Sequence, residues 1–192
     1  MKPFNFEKKR SASTKETLHV GGYVCQIQGA RIENYSNGFS SLILAIDVIE
    51  GDYKGIWKRD YDNNTNEDKK WRGTFRVNIP SDDGSEQDAW AKRRFGGVVW
   101  AIEESNPGYT WDWDEKKLKG KKIGIIYRNR EWEMNGNTGW TTEAGGADSV
   151  ENIREGKFKP LKDRPLKNKS TVSAANTATD YEDVSDPDSL PF

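Results

Sequence analysis

Phe39-Ser40-Ser41-Leu42-Ile43-Leu44-Ala45-Ile46-Asp47-Val48-Ile49-Glu50 is the stretch on which the fold turns. Leu42, Leu44, Ile46 and Val48 recur at every second position and so share one face of an extended chain, with Ile43 and Ile49 on the other. Apolar residues on both faces predict a central, largely buried strand. Just upstream, Asn37-Gly38 is a hairpin signal, because both residues tolerate the positive φ that a tight turn demands. The partner is then Leu18 to Ile32, where Val20, Tyr23, Val24, Cys25 and Ile27 stand between Gly and Gln. Downstream, Gly51-Asp52 makes a turn, and Gly55 to Tyr61 is expected to pair as a further strand.

Beyond the polar loop 62–70, Trp71, Gly73, Phe75, Val77 and Ile79 alternate with Arg72, Thr74, Arg76 and Asn78, a strand that Pro80 stops. Ser81 to Ser85 supplies turn and capping residues ahead of a helix from Gln87 to Ser105. Trp90, Arg94, Val98 and Ala101 follow helical spacing, as do Phe95, Val99 and Ile102, although Gly96-Gly97 is expected to bend or split the helix. Leu118 to Trp132 reads as a strand and Asn135-Gly136-Asn137 as a second hairpin returning through Gly139 to Glu143. Val150 to Phe158 is expected to be strand or irregular. Strands, one helix and then two more strands follow the order of the OB-fold, a mainly β, five-stranded Greek-key barrel with its helix between strands 3 and 4. Other small barrels with one helix share that order.

The chain of 192 residues fits one domain and its appendages. Hydrophobic content is 33% and mean hydropathy is −0.96, low for a compact globule, yet eight Trp, seven Tyr and seven Phe suffice for one core. The formal charge of −1 conceals an asymmetry. Residues 1–169 carry 30 basic and 26 acidic side chains, while 170–192 carry five acids and no Lys, Arg or His. A mildly basic body with an acidic appendage suits a polyanion binder. Cys25 is the single cysteine, so no intrachain disulfide forms. Met1 to Thr17 lacks the apolar core of a signal peptide and no run approaches a membrane span, so a soluble protein of the cytoplasm is expected.

The segment 170–192, rich in Ser, Thr, Ala and Pro, buries too little apolar surface to offset its ordering entropy and is expected to be disordered. It ends in Asp186-Pro187-Asp188-Ser189-Leu190-Pro191-Phe192, an apolar tip behind a run of acids, which a basic pocket in a partner can capture. The plain alternative is a solubilising tail. This tip resembles that of bacterial and phage single-stranded DNA-binding proteins, which end in acids followed by a similar Pro-Phe. Here Ser189-Leu190 interrupts the acidic run.

Sequence-independent binding of a single strand needs aromatic faces for the bases, each worth roughly 1–3 kcal/mol, and cations for the phosphates. As a strand, Gly55 to Tyr61 would place Trp57, Arg59 and Tyr61 on one face, with Lys54 and Lys58 nearby. Trp71 opens the next strand, from which Arg72 and Arg76 point away from the core. Arg128, Arg130 and Trp132 share a parity, and Trp140 lies across the hairpin. These three groups converge if they belong to neighbouring strands. The structural alternatives are equally concrete: Trp57 and Tyr61 closing the end of a barrel, Trp71 in the core, the arginines merely solvated. Phe75, Trp90 and Trp100 are expected in the core, and Trp111 and Trp113 as a cover between helix and strand.

Enzymatic chemistry finds few parts. His19 has no His or Cys partner for a zinc site or a triad, and no phosphate-binding Gly-rich loop occurs. Asp82-Asp83 and Asp112-Trp113-Asp114 are conceivable Mg²⁺ ligands, but they read better as loop acids. A protein that is not an enzyme and needs no metal or cofactor is expected.

Three further stretches carry a family likeness: Gly21-Gly22-Tyr23-Val24-Cys25, Asp47-Val48-Ile49-Glu50-Gly51-Asp52-Tyr53-Lys54-Gly55, and Ser149-Val150-Glu151-Asn152-Ile153-Arg154-Glu155-Gly156-Lys157-Phe158. Over roughly residues 18–166 the chain resembles phage and prophage proteins of bacteria with Gram-positive walls, described as single-stranded DNA-binding OB-fold proteins. The resemblance implies a role in phage DNA replication or recombination inside a bacterial host. The expected organisation is an arm (1–17), an OB-fold DNA-binding domain (18–159), a basic linker (160–169) and the acidic tail (170–192). The tail would recruit replication or repair proteins through Asp186, Asp188, Leu190, Pro191 and Phe192. A homo-oligomer, a protein-interaction module and an RNA-binding or strand-annealing protein remain open.

Overall fold

The structure, a computed structural model, describes residues 16–36 and 38–166. Asn37, most of the arm, the acidic tail and its docking tip lie outside the described residues. Five strands form one antiparallel sheet: β1 (Gly21–Asn34), β2 (Ser40–Val48), β3 (Thr74–Ile79), β4 (Lys122–Met134) and β5 (Asn137–Asp148). Their spatial order is β3-β2-β1-β4-β5, leaving β3 and β5 as the two edges. The quoted stretch is an interior strand, as its two apolar faces require: β2 pairs with β1 on one side and β3 on the other, and Leu42, Ile43, Leu44, Ile46 and Val48 are all buried. The alternating faces of β1, β2, β3 and β4 place Cys25, Ile27, Leu42, Leu44, Ile46, Phe75, Val77, Ile123 and Ile125 in one core.

Helix α2 (Glu86–Glu104) closes that core with Phe95, Val98, Ala101 and Ile102. It starts where a capping residue stands: the Ser85 hydroxyl accepts the Asp88 amide at 3.0 Å. The Gly96-Gly97 pair does not interrupt it, because apolar anchors on both sides hold the turn. Opposite this core, Val24, Ile126, Val150 and Ile153 form a smaller cluster with Ile49, Phe158 and Leu161 against them. No helix among the described residues is long and apolar enough to cross a membrane.

Two segments differ in kind from the reading of the sequence. Gly55 to Tyr61 is not a strand; residues Ile56–Asn63 form helix α1. Gly55 adopts the left-handed conformation with φ 73°, and the Asp47 carboxylate accepts the amides of Trp57 and Val48, each at 3.0 Å. Trp57 and Tyr61, four apart, share a helical face from which Arg59 is turned away, so the three cannot form one binding face. Val150 to Phe158 is likewise not a strand: helix α3 covers Val150–Glu155, capped by the Ser149 hydroxyl, which accepts the Asn152 amide at 3.2 Å. Smaller shifts follow the same logic. β3 begins only at Thr74, and Leu118 belongs to a 3-10 turn (Glu115–Leu118) ahead of β4.

Two tryptophans expected in the core are not there: Trp90 is half-buried and Trp100 is 48% exposed. The buried face of α2 is made by the Phe95, Val98, Ala101 and Ile102 positions, which turns both tryptophans to its margins. Trp111 is buried as a cover, its indole donating to the Asp114 carbonyl at 3.0 Å, whereas Trp113 is 70% exposed and stacked against Phe95.

Asp47 carries a pH signature. Burial pushes its carboxyl above the ordinary range, against the two amides that favour the anion. The folded protein therefore holds this proton more tightly than the unfolded chain. Through Asp47, stability is greatest below about pH 4, where the unfolded carboxyl titrates, and falls as pH rises through the raised folded value. In Asp47→Asn this falling segment is expected to be missing. Urea midpoints for both proteins between about pH 4 and pH 7 check it; identical curves would contradict the burial of an ionisable group here.

Candidate nucleic-acid interface

The aromatics of the first expected group serve the fold. Trp57 donates its indole N–H to the Tyr127 hydroxyl at 3.3 Å and packs over Gly73, where any Cβ would overlap its ring. Trp71 donates to the carbonyls of Ile46 (3.1 Å) and Gly73 (2.9 Å), and its ring lies 5.8 Å from that of Tyr61. Lys69 sits over Tyr61 at 4.5 Å. Trp57, Tyr61 and Trp71 are each half-buried and held by these contacts, and with Gly55 to Tyr61 helical they do not form the expected row. The neighbouring cations are exposed and mostly paired: Lys58 with Asp62 at 2.8 Å, Arg59 with Glu16 at 2.8 Å, Arg72 with Asp60 at 3.2 Å. Lys54 is exposed, and its carbonyl accepts from Arg59.

The β4–β5 hairpin forms with Asn135 and Gly136 at φ 52° and 76°, the positive values its turn demands. Arg128, Arg130 and Trp132 do share a face, opposite Glu143, Thr141 and Gly139. Arg128 is buried, with Nε 3.0 Å from Glu143; Arg130 reaches the same carboxylate at 3.7 Å and Arg164 at 3.4 Å. Trp132 lies across Gly139. Trp140 pairs with Glu131 and so occupies the other face, 53% exposed, which separates it from Trp132. Beyond Tyr127, β1 no longer covers β4, and residues expected as a linker take its place. The Arg164 amide donates to the Asn129 carbonyl, and the Glu131 amide to the Arg164 carbonyl, each at 2.8 Å.

A different surface gathers the right chemistry. On the outward face of β1–β3, Arg31, Ile43 and Arg76 stand directly across from one another, with Glu33, Ser41 and Asn78 in the next row. Arg76 points away from the core as expected and lies 5.6 Å over the Tyr35 ring. Glu33 is shared by the two arginines, at 3.8 Å from Arg31 and 3.6 Å from Arg76. The 115–122 turn runs along the core-facing part of β1, the Gly120 amide donating to the Ile27 carbonyl at 2.7 Å. It carries Lys116, Lys117, Lys119, Lys121 and Lys122, of which Lys117 pairs with Asp112 and Lys121 covers Tyr109 at 3.8 Å. Arg31, Tyr35 and these lysines escaped the sequence reading. The hairpin register was the available signal, since it sets Arg31 opposite Ile43.

The structure thus keeps Arg76 at an outward, cationic face and gives Trp57, Tyr61, Trp71 and Arg128 packing roles. No protein-family model matches the chain, and no curated protein matches it. Of the acids considered as metal ligands, Asp82 pairs with Lys92 and Asp112 with Lys117, while Asp83 accepts from the Ser81 hydroxyl and the Ser85 amide and Asp114 from the Lys116 amide.

Proposed function

We propose that this protein binds single-stranded DNA without sequence preference through the outward face of β1–β3. The observation that carries this reading is the pair of exposed residues Arg31 and Arg76 on either side of buried Ile43, with the Tyr35 ring under Arg76. Two guanidinium groups share one carboxylate, leaving net positive charge on a strand face. The finer architecture we propose is an OB-type Greek-key barrel. In support, β4 returns beside β1 to give the order 4-1-2-3, β5 follows it, and α2 lies between β3 and β4. In that fold the face of strands 2 and 3 binds oligonucleotides. The setting is phage DNA replication or recombination, with the acidic segment recruiting replication or repair proteins.

Fluorescence anisotropy of labelled oligo-dT, beside the matching duplex and over a salt series, tests the reading. Binding that favours the single strand and weakens linearly in log salt is expected. Equal affinity for duplex, or none for either, overturns it. A second reading, docking of a partner protein, is favoured by one observation: an apolar groove of about 720 Å³ between α2 and the sheet, bordered by exposed Trp100 and Trp113.

A further inference from the structure

The groove of about 720 Å³ between α2 and the sheet has a buried floor of Leu42, Phe95 and Trp111 and an exposed rim of Ile32, Trp100 and Trp113. The rim is costly to leave to water. Trp113 is 70% exposed, and its backbone holds φ 68°, a region that disfavours a bulky side chain. Its ring stacks on Phe95 with 6° between the planes, so a strained turn holds a largely open indole beside the groove. The charge around these rings is negative. Asp82, Asp88 and Glu103 stand against Lys92, which pairs with both aspartates, and Glu103 accepts the Trp111 amide at 2.9 Å. An occupant suited to this groove carries bulky apolar side chains flanked by cations.

The tail tip does not suit it: Leu190-Pro191-Phe192 follows Asp186 and Asp188 and would set acid against acid. The arm does. In an extended segment Phe4 and Phe6 project to one side, and Lys2, Lys8, Lys9 and Arg10 flank them against the one acid Glu7. The arm is also long enough. Its root lies at the α1 end of β2, where Glu16 pairs with Arg59 at 2.8 Å and the Gly55 amide donates to the Val48 carbonyl at 2.7 Å. Leu42, in the groove floor, stands towards the other end of β2, roughly 20 Å away at about 3.3 Å per residue. The ten residues from Phe6 to Glu16 span up to about 33–36 Å, which covers that distance with slack. We propose that residues 2–10 of the arm dock in the α2–sheet groove of their own chain. Phe4 and Phe6 pack against Trp100 and Trp113, and the flanking cations face Asp82 and Glu103. A partner protein would bind this groove only by displacing the arm.

The test uses the full chain and follows the indole N–H resonances of Trp100 and Trp113, with exposed Trp140, outside the groove, as the control. Phe4→Ala/Phe6→Ala is expected to shift both groove signals and leave Trp140 unmoved. A synthetic peptide of residues 1–15 added to that variant is expected to restore the Trp100 and Trp113 signals. Its binding should weaken by at least about tenfold when Trp113→Ala is added. Asp82→Asn/Glu103→Gln is expected to weaken the peptide about fivefold and to reduce its salt dependence, and keeps the test valid if Trp113→Ala does not fold. Identical groove signals in the wild-type chain and Phe4→Ala/Phe6→Ala overturn the proposal. So do wild-type groove signals that move to the variant's positions on dilution, which assign the groove to the arm of a second copy. A peptide of Asp186–Phe192 that restores the signals where the arm peptide does not overturns it in favour of the tail. Oligo-dT takes no part in these readings, so failure of the β1–β3 interface and failure of this docking are distinguishable.

Discussion

Gly73→Ala is expected to lower the unfolding free energy by about 3 kcal/mol, the upper end of what overpacking a well-filled site usually costs. Residue 73 precedes β3, and its carbonyl accepts the Ile46 amide at 2.8 Å and the Trp71 indole at 2.9 Å. A methyl group there would overlap both the Trp57 ring and the Ile46 carbonyl oxygen. Neither neighbour yields easily. The ring is held by its bond to Tyr127, and the carbonyl belongs to an interior strand. Urea unfolding measures the loss as a shift in midpoint at constant slope. Placing the change in a Trp57→Ala background separates the two obstacles. The pair should cost less than the sum of the single changes, because the ring is gone while the carbonyl remains. A cost under about 0.5 kcal/mol for Gly73→Ala alone would mean that α1 does not pack over this residue.

The contrast between α1 and β2 shows what a sequence discloses. In β2 the apolar period of two runs over many residues and is enforced on both faces, so few other structures bury the same side chains. Phe75 and Val77 were legible for the same reason, whereas the buried face of α2 takes Phe95 and Ile102 from one expected helical row and Val98 and Ala101 from the other. Gly55 to Tyr61 offers only Ile56, Trp57 and Tyr61, which fit a short strand or a helical face almost equally. The deciding contacts come from afar: Asp47, eight residues before Gly55, accepts the Trp57 amide, and Gly73 makes room for the ring. Val150 to Glu155 was ambiguous in the same way and was settled by the Ser149 cap and the Val24–Ile126 surface it covers. The proposed binding face was partly legible. Arg76 followed from alternation within one strand, whereas Arg31 and Tyr35 required the pairing of two strands. For Trp57, Tyr61 and Trp71 the expected arrangement failed because Gly55 to Tyr61 is helical, and aromatic residues near cations look alike whether they stack on a ligand or pack on a fold.

Arg31→Ala/Arg76→Ala is expected to weaken oligo-dT binding by about 25-fold at about 0.1 M salt and to flatten its salt dependence. Each phosphate contact on a single strand contributes about 0.7 to the slope of log K against log salt, so losing two should reduce that slope by about 1.4. At about 0.1 M salt the same relation makes each contact worth about fivefold. Both guanidinium groups lie on exposed side chains outside the two buried clusters, and each meets Glu33 at 3.6 Å or more. Unchanged urea midpoints are the control. Glu33→Gln supplies the opposite sign: removing the carboxylate that the two arginines share is expected to tighten binding and leave the number of phosphate contacts unchanged. A double arginine variant that keeps both affinity and slope would remove the β1–β3 face from the binding path. Were affinity to fall with the slope unchanged, the two arginines would act by shaping the Tyr35 surface and not by meeting phosphates, since only a lost phosphate contact alters the count of released ions.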